Sequence, residues 1–189
     1  MFVALIPPAD VVEDLAAFVA PRQEADTVAG ALRWTSEEQW HVTLAFLPGV
    51  ADRHLDDLCA RLERAAARRT GLELAVRGGG AFPNPARARV LYAGVEARDP
   101  DELSRLATGV RAAATKSGAG ADGGRFHPHL TLARLRRPTE VTRWIRVFDA
   151  YTGPWWHARE VALVASHLGE GPRNRPRYEL VGTFALGRR

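Results

Sequence analysis

Residues 41–45 read His-Val-Thr-Leu-Ala and residues 129–133 read His-Leu-Thr-Leu-Ala, so one pentapeptide pattern occurs twice in 189 residues, 88 positions apart. Apolar residues alternating with polar ones mark a half-buried β-strand. On such a strand His and Thr, two positions apart, project from the same face. If the two halves of the chain pack against each other, two imidazoles and two hydroxyls converge on one cleft. A single His-x-Thr is an ordinary amphipathic strand. Two of only six histidines followed by the same three residue types are a much narrower coincidence.

That set of side chains suits acid–base chemistry on a phosphate ester. Opening a cyclic phosphodiester needs a base to take a proton from water and an acid to protonate the departing oxygen. Histidine, with a pKa near ~6.5, supplies either form at neutral pH. Thr43 and Thr131 can donate to the non-bridging oxygens, where charge accumulates, without competing for the transferred proton.

The rest of the chain sets bounds on this reading. A length of 189 residues fits one domain, 1–189, or two small lobes sharing a core. No apolar run approaches the ~20 residues of a membrane span. The opening Met1–Pro8 lacks a basic stretch and reads as a strand, so a cytoplasmic protein without membrane association is expected. The lone Cys59 excludes an intrachain disulfide and a cysteine-based zinc site. A net charge of +4 points toward a polyanionic partner without specifying it.

Four apolar stripes at helical spacing are apparent: Val11/Leu15/Phe18/Val19, Leu55/Leu58/Cys59/Leu62, Leu103/Leu106/Val110 and Val141/Trp144/Ile145/Phe148. Asp52 is the expected cap of the second helix. Asp99-Pro100-Asp101-Glu102 is a capping box for the third, and Pro138-Thr139 is expected to open the fourth. Strands are expected over residues 2–6, 41–47, 72–76, 89–95, 130–135, 160–166 and 178–186. Gly78-Gly79-Gly80 reads as a turn or bulge, residues 117–124 as a flexible connector, 170–177 as an exposed loop, and Trp155-Trp156 as packing beside a Gly153-Pro154 turn. Helices alternating with strand pairs favour an α+β fold.

The residues also resemble the 2H phosphoesterases, named for paired His-x-Thr motifs, and among them the bacterial RNA 2′,3′-cyclic phosphodiesterases of the ThpR/LigT type. The resemblance is carried by Phe2–Leu5, Trp40–Leu47, Phe126–Arg134, Ala81-Phe82-Pro83 with Arg89–Tyr92, Ser166-His167-Leu168 and Tyr178–Leu180. It implies a bilobal fold of two antiparallel-sheet lobes with outer helices, a central cleft and pseudo-two-fold symmetry. The implied reaction is metal-independent hydrolysis of a terminal 2′,3′-cyclic phosphate on RNA to a 2′-phosphomonoester. The family is also associated with 2′–5′ joining of tRNA halves, so tRNA fragments are candidate partners. By carry-over His41 is proton donor, His129 proton acceptor, and Thr43, Thr131 and Arg134 hold the phosphate; sequence symmetry alone leaves the two histidine roles exchangeable. Arg134 stands five residues after His129, which puts it on the opposite strand face unless the strand bulges. Where many relatives have Phe-Leu-Gly after the first motif, this chain has Phe46-Leu47-Pro48-Gly49, a change that bears on which substrate end is preferred.

Phe82, Tyr92, Phe126 and Tyr178 are candidates for stacking a terminal base. His127 is expected to orient the strand or line the cleft. A metal site of His41, His127 and His129 is disfavoured, because Pro128 stiffens the backbone and no carboxylate is near. No metal and no cofactor are therefore expected, and a monomer is the default. Rival readings are a phosphodiesterase acting on small cyclic nucleotides, 2′–5′ oligonucleotides or an ADP-ribose cyclic phosphate, and a non-catalytic module that binds RNA ends.

Overall fold

The named strands pair antiparallel in one nine-stranded sheet, ordered β7-β4-β5-β6-β3-β1-β8-β9 with β2 also on β6. These come from a computed structural model describing residues 1–26, 32–171 and 175–187. In chain order the elements are β1 (Phe2–Leu5), α1 (Ala9–Asp26), β2 (Leu32–Trp34), β3 (Val42–Phe46), α2 (Leu55–Ala67), β4 (Leu72–Phe82), β5 (Ala88–Ala97), α3 (Pro100–Lys116), β6 (His129–Thr139), α4 (Thr142–Asp149), β7 (Thr152–Ala158), β8 (Glu160–Gly171) and β9 (Arg175–Ala185).

The order is symmetric about the β3–β6 seam, with β1, β8 and β9 on one side and β5, β4 and β7 on the other. The fold is α+β, bilobal and pseudo-two-fold symmetric, as expected. The lobes are not the two halves of the chain, however. The last two strands return to sit beside the first, so the lobe holding His41 is closed by β8 and β9.

One face of the sheet buries Val42, Leu44, Leu91, Leu130 and Leu132 against Leu58 and Leu62 of α2 and Leu103, Leu106 and Val110 of α3. The helical stripes of the sequence thus form the main core. On the other face a smaller cluster of Phe2, Ala4, Ala162 and Val164 packs with Tyr178. Asp99 caps α3 as expected, its carboxylate accepting from the Glu102 amide at 2.9 Å.

Several expectations on boundaries are corrected. Asp52 does not cap α2; residues Asp52–His54 form a short 3₁₀ turn and α2 begins only at Leu55. Pro138-Thr139 end β6, and α4 starts at Thr142. Gly153 and Pro154 lie inside β7, an edge strand where the missing proline amide costs no ladder bond. β2, only three residues long, has too little pattern to be read from sequence. Most of the segment expected as a loop over 170–177 is a β8–β9 ribbon; its residues 172–174 lie outside the described residues.

The expected bulge at Gly78–Gly80 is present, with the β4–β5 register shifting between Val76 and Gly79. Gly78 takes φ +72°, which L side chains rarely adopt. Gly80 serves a different purpose: a Cβ there would run into the Tyr92 ring, so its hydrogen lets that ring lie flat over β4.

Candidate active site

β3 and β6 meet antiparallel with Val42 opposite Leu130. One step outward in that register, His41 faces Thr131 and Thr43 faces His129. Val42 and Leu130 point into the main core, so all four polar side chains emerge on the opposite face. The local two-fold passes through the Val42–Leu130 pair, and the two motifs are related by it.

The correspondence extends to hydrogen bonds. His41 Nδ1 lies 2.7 Å from the backbone oxygen of Gln39, and His129 Nδ1 lies 2.7 Å from that of His127. A carbonyl only accepts, so each Nδ1 carries the hydrogen when the ring is neutral, and each Nε2 keeps its lone pair. Two imidazoles are thereby held in the same tautomer with their reactive nitrogen directed away from the backbone.

The correspondence also includes a shared irregularity. In β3 the pairing with β1 jumps between Val3–Ala45 and Ala4–Thr43, which leaves Leu44 as an extra residue. In β6 the pairing with β5 jumps between Leu91–Ala133 and Tyr92–Thr131, which leaves Leu132 as the extra residue. Leu44, Ala45, Leu132 and Ala133 are all buried, so strict alternation breaks at the Leu-Ala step of each motif. Past the bulge, the residue five after each histidine returns to the histidine's face. This resolves the parity objection to Arg134. Its charge lies near enough to push down the pKa of both His41 and His129 and of the Tyr178 phenol.

The two sides differ in their walls. His41 stacks on Phe2, with ring centroids 4.3 Å apart and planes 16° from parallel, and meets Tyr178 edge-on at 5.6 Å. His129 is met by Phe82 at 5.0 Å and Tyr92 at 5.2 Å, which stack on each other, and by His127 at 6.1 Å. Burial pushes the His41 pKa down to about 4, assisted by the charges of His129 and Arg134 and opposed by the Gln39 carbonyl. Burial also lowers that of His129, helped by His127 and Arg134. Burial raises the Tyr92 and Tyr178 phenols, so both hydroxyls are donors at neutral pH.

Of the residues singled out from sequence, His41, Thr43, His129, Thr131, Arg134, Phe82, Tyr92 and Tyr178 are thus brought together. Phe126 is not among the rings meeting either histidine; it packs on the main core, 5.8 Å from the Arg111 guanidinium. Two residues escape the sequence reading. Phe2 reads as an ordinary core residue of a first strand. Phe46 is the two-fold counterpart of Arg134, and half of its surface is exposed. The trace of Phe46 in the repeat is the consecutive apolar pair Leu-Ala after each threonine, which becomes a bulge only against the neighbouring strand.

Among the described residues no three His, Cys, Asp or Glu side chains gather as a metal-binding group. No helix among them is long and apolar enough to cross a membrane.

A symmetric pair of His-x-Thr strands at the seam of a two-lobed antiparallel sheet defines a phosphoesterase-type site. The chain belongs to the LigT-like phosphoesterase family, whose pattern matches residues 6–92 and 95–173. It is 34% identical over 81% of its length to an RNA 2′,3′-cyclic phosphodiesterase of Geobacillus stearothermophilus, covering 47% of that relative, and it covers 58% of a relative of the same description from Aeropyrum pernix. The chain thus spans about half the length of these two relatives. Among solved structures it superposes on TT0787 of Thermus thermophilus with a TM-score of 0.76 and 29% identity, covering 99% of this chain and 97% of that one. Escherichia coli LigT complexed with 3′-AMP is similar at a TM-score of 0.75 and 28% identity, covering 98% and 96%.

Proposed function

We propose that this protein hydrolyses the 2′,3′-cyclic phosphate at the end of an RNA strand, leaving a 2′-phosphomonoester, and that it does so without a metal ion. The observation that carries the reading is the matched pair of imidazoles, each fixed through Nδ1 to a backbone carbonyl and each beside a threonine, across one strand seam. The names of the relatives and the nucleotide bound by LigT support RNA ends as the substrate class.

In the proposed reaction a water oxygen attacks phosphorus while neutral His129 takes the water proton on Nε2. The P–O3′ bond breaks, and O3′ takes the proton from Nε2 of the His41 imidazolium. Each turnover leaves His129 protonated and His41 neutral, and exchange with solvent restores the starting forms. Thr43 and Thr131 donate hydroxyl hydrogens to the non-bridging oxygens, and Arg134 adds positive charge to the developing dianion.

Burial disfavours the charged form of His41 in the free protein. The proton it must donate is held there by the substrate itself, because a bound phosphodiester places a negative charge between the rings and raises the pKa of both. The two histidines titrate as a pair, so apparent values belong to the couple.

The test is incubation of a short RNA bearing a 2′,3′-cyclic end, in excess chelator, with the product assigned by phosphorus NMR. A 2′-phosphomonoester in undiminished yield is expected. A 3′-phosphate product would reverse the assigned bond cleavage, and activity lost to chelator and restored by zinc would overturn the metal-free mechanism.

A further inference from the structure

The helical face of the protein carries a groove of about 820 Å³ between α2 and α3. It is lined by Arg61, Arg64, Arg68, Arg69, Arg105 and Lys116, against Asp101 as the one lining carboxylate. With Asp57 and Glu102, which pair with cations of the groove, also counted, the groove still carries +3 of the chain's net +4. The groove is where the positive charge of this protein is concentrated.

The sequence builds it by helical periodicity. Arg61, Arg64, Ala65 and Arg68 stand at i, i+3, i+4 and i+7 on α2 and share a face. Asp101, Ser104, Arg105, Thr108, Gly109 and Ala112 repeat that spacing on α3. The helices run antiparallel, since Arg69 at the end of α2 pairs with Glu102 at the start of α3. The α3 floor is made of small residues, and a Cβ added at Gly109 would meet nothing within 4 Å. Long cationic side chains therefore rise around an open trough.

Three of the cations are engaged: Arg61 with Asp57, and Arg69 and Arg105 with Glu102. Arg64, Arg68 and Lys116 are exposed and have no carboxylate partner among the described residues. Three like charges on one trough repel one another, and an anion bound there relieves that repulsion.

We infer that this groove is a second binding site, for the phosphate backbone of an RNA strand, on the face of the sheet opposite the catalytic histidines. Five of its six cations are guanidiniums, whose planar fork matches phosphate oxygens. Its wall on α3 runs from Asp101 to Lys116, about 22 Å of helix, which is several phosphates long. The large exposed apolar residues Ile6, Phe46, Leu168 and Leu180 lie outside it, so it lacks the apolar anchor that a lipid surface would engage. At one end, Lys116 leads into residues 117–128, the segment that delivers His127 and His129 to the site. A long strand processed at its end can pass round the strand ends, along residues 117–128, into the groove, whereas a mononucleotide filling only the cleft never reaches it. Naming RNA rests on the function proposed above; affinity for a phosphate polymer does not.

The test uses the full chain and a long single-stranded RNA ending in a 3′-hydroxyl, so that binding is read without turnover. Anisotropy is measured across a salt series for the parent and for Arg64→Glu/Arg68→Glu/Lys116→Glu. Loss of three phosphate contacts is expected to raise Kd at least about tenfold and to lower the slope of log K against log salt by about 2. Hydrolysis of a 2′,3′-cyclic mononucleotide should be unchanged. Gly109→Glu, whose side chain enters open space, should weaken RNA binding in the same direction and decides the matter if the triple variant folds poorly. Unaltered Kd and salt slope in a folded variant would overturn the inference whether or not the chain hydrolyses cyclic phosphates. Weakened RNA binding by a protein with no hydrolase activity would uphold the groove and refute only the function.

Discussion

His41 and His129 occupy equivalent positions about a local two-fold, yet their surroundings are unequal. The shared part is the backbone: the same Nδ1 anchor, the same threonine across the seam, the same extra leucine. The unequal part is the side chains. His41 is stacked on a fully packed Phe2 and its pKa falls to about 4. His129 is lined by the more accessible Phe82, Tyr92 and His127. At the fifth position after the histidine, one motif presents an aromatic ring, Phe46, and the other a guanidinium, Arg134. Duplicated geometry with divided chemistry is what a reaction needs when one imidazole must give a proton and its twin must take one.

The largest effects should come from removing either twin. His41→Ala and His129→Ala are each expected to lower kcat by roughly 10²–10⁴-fold while leaving thermal stability near that of the parent. The two losses can be told apart. On an acyclic phosphodiester with a nitrophenolate leaving group, which departs without protonation, the His41 variant should recover most of its rate and the His129 variant should not. Recovery by the His129 variant instead would exchange the two roles.

Arg134→Gln should come next, with a loss of about 10²-fold in kcat/KM if the guanidinium meets the developing charge. Burial holds both histidines down and the Arg134 charge adds to it, so removing that charge should also move the kcat/KM optimum slightly to higher pH. A rate loss with no movement of the optimum would leave Arg134 as a distant surface charge. Phe46→Leu, its two-fold counterpart, should leave the optimum in place.

These unequal halves also show where sequence reading stops. The repeat at 41–45 and 129–133 reveals the two His/Thr faces, because alternation fixes which side chains share a side. Asp99-Pro100 reveals the start of α3 for a similarly local reason. What lies beyond reach depends on pairing between distant strands. Nothing local says that β8 and β9 return to complete the first lobe, nor that Phe2 will lie under His41. The Arg134 problem is intermediate: parity argues against it, and the Leu-Ala pair that undoes parity can be recognised as a bulge only with the neighbouring strand in place. Phe126 shows the opposite error, an aromatic close to the motif in sequence that packs elsewhere.

The acidity of the pair gives a smaller effect. Both histidines are held below the ordinary value of ~6.5 in the free protein, so kcat/KM, which reports free enzyme, should peak below that pH. The kcat profile, which reports the complex, should peak at higher pH because the bound phosphate raises both groups. Coincident profiles would remove substrate charge from the account.

The smallest expected effect is on folding. The unfolded chain protonates His41 near ~6.5 and the folded chain only near about 4, so the contribution is complete above 6.5. As pH falls between those values, unfolding takes up a proton and stability declines, by at most about 3 kcal/mol. His41→Gln should flatten this part of the stability profile in denaturant titrations. An equally steep decline in that variant would place the titrating group elsewhere.

A crystal structure with a dinucleotide ending in a 2′-phosphate decides whether the two imidazoles share one phosphate. One phosphate is expected within about 3 Å of Nε2 of both His41 and His129, with each Nδ1 still on its carbonyl. A phosphate held by one ring alone, with the other Nε2 turned from it, would contradict the account.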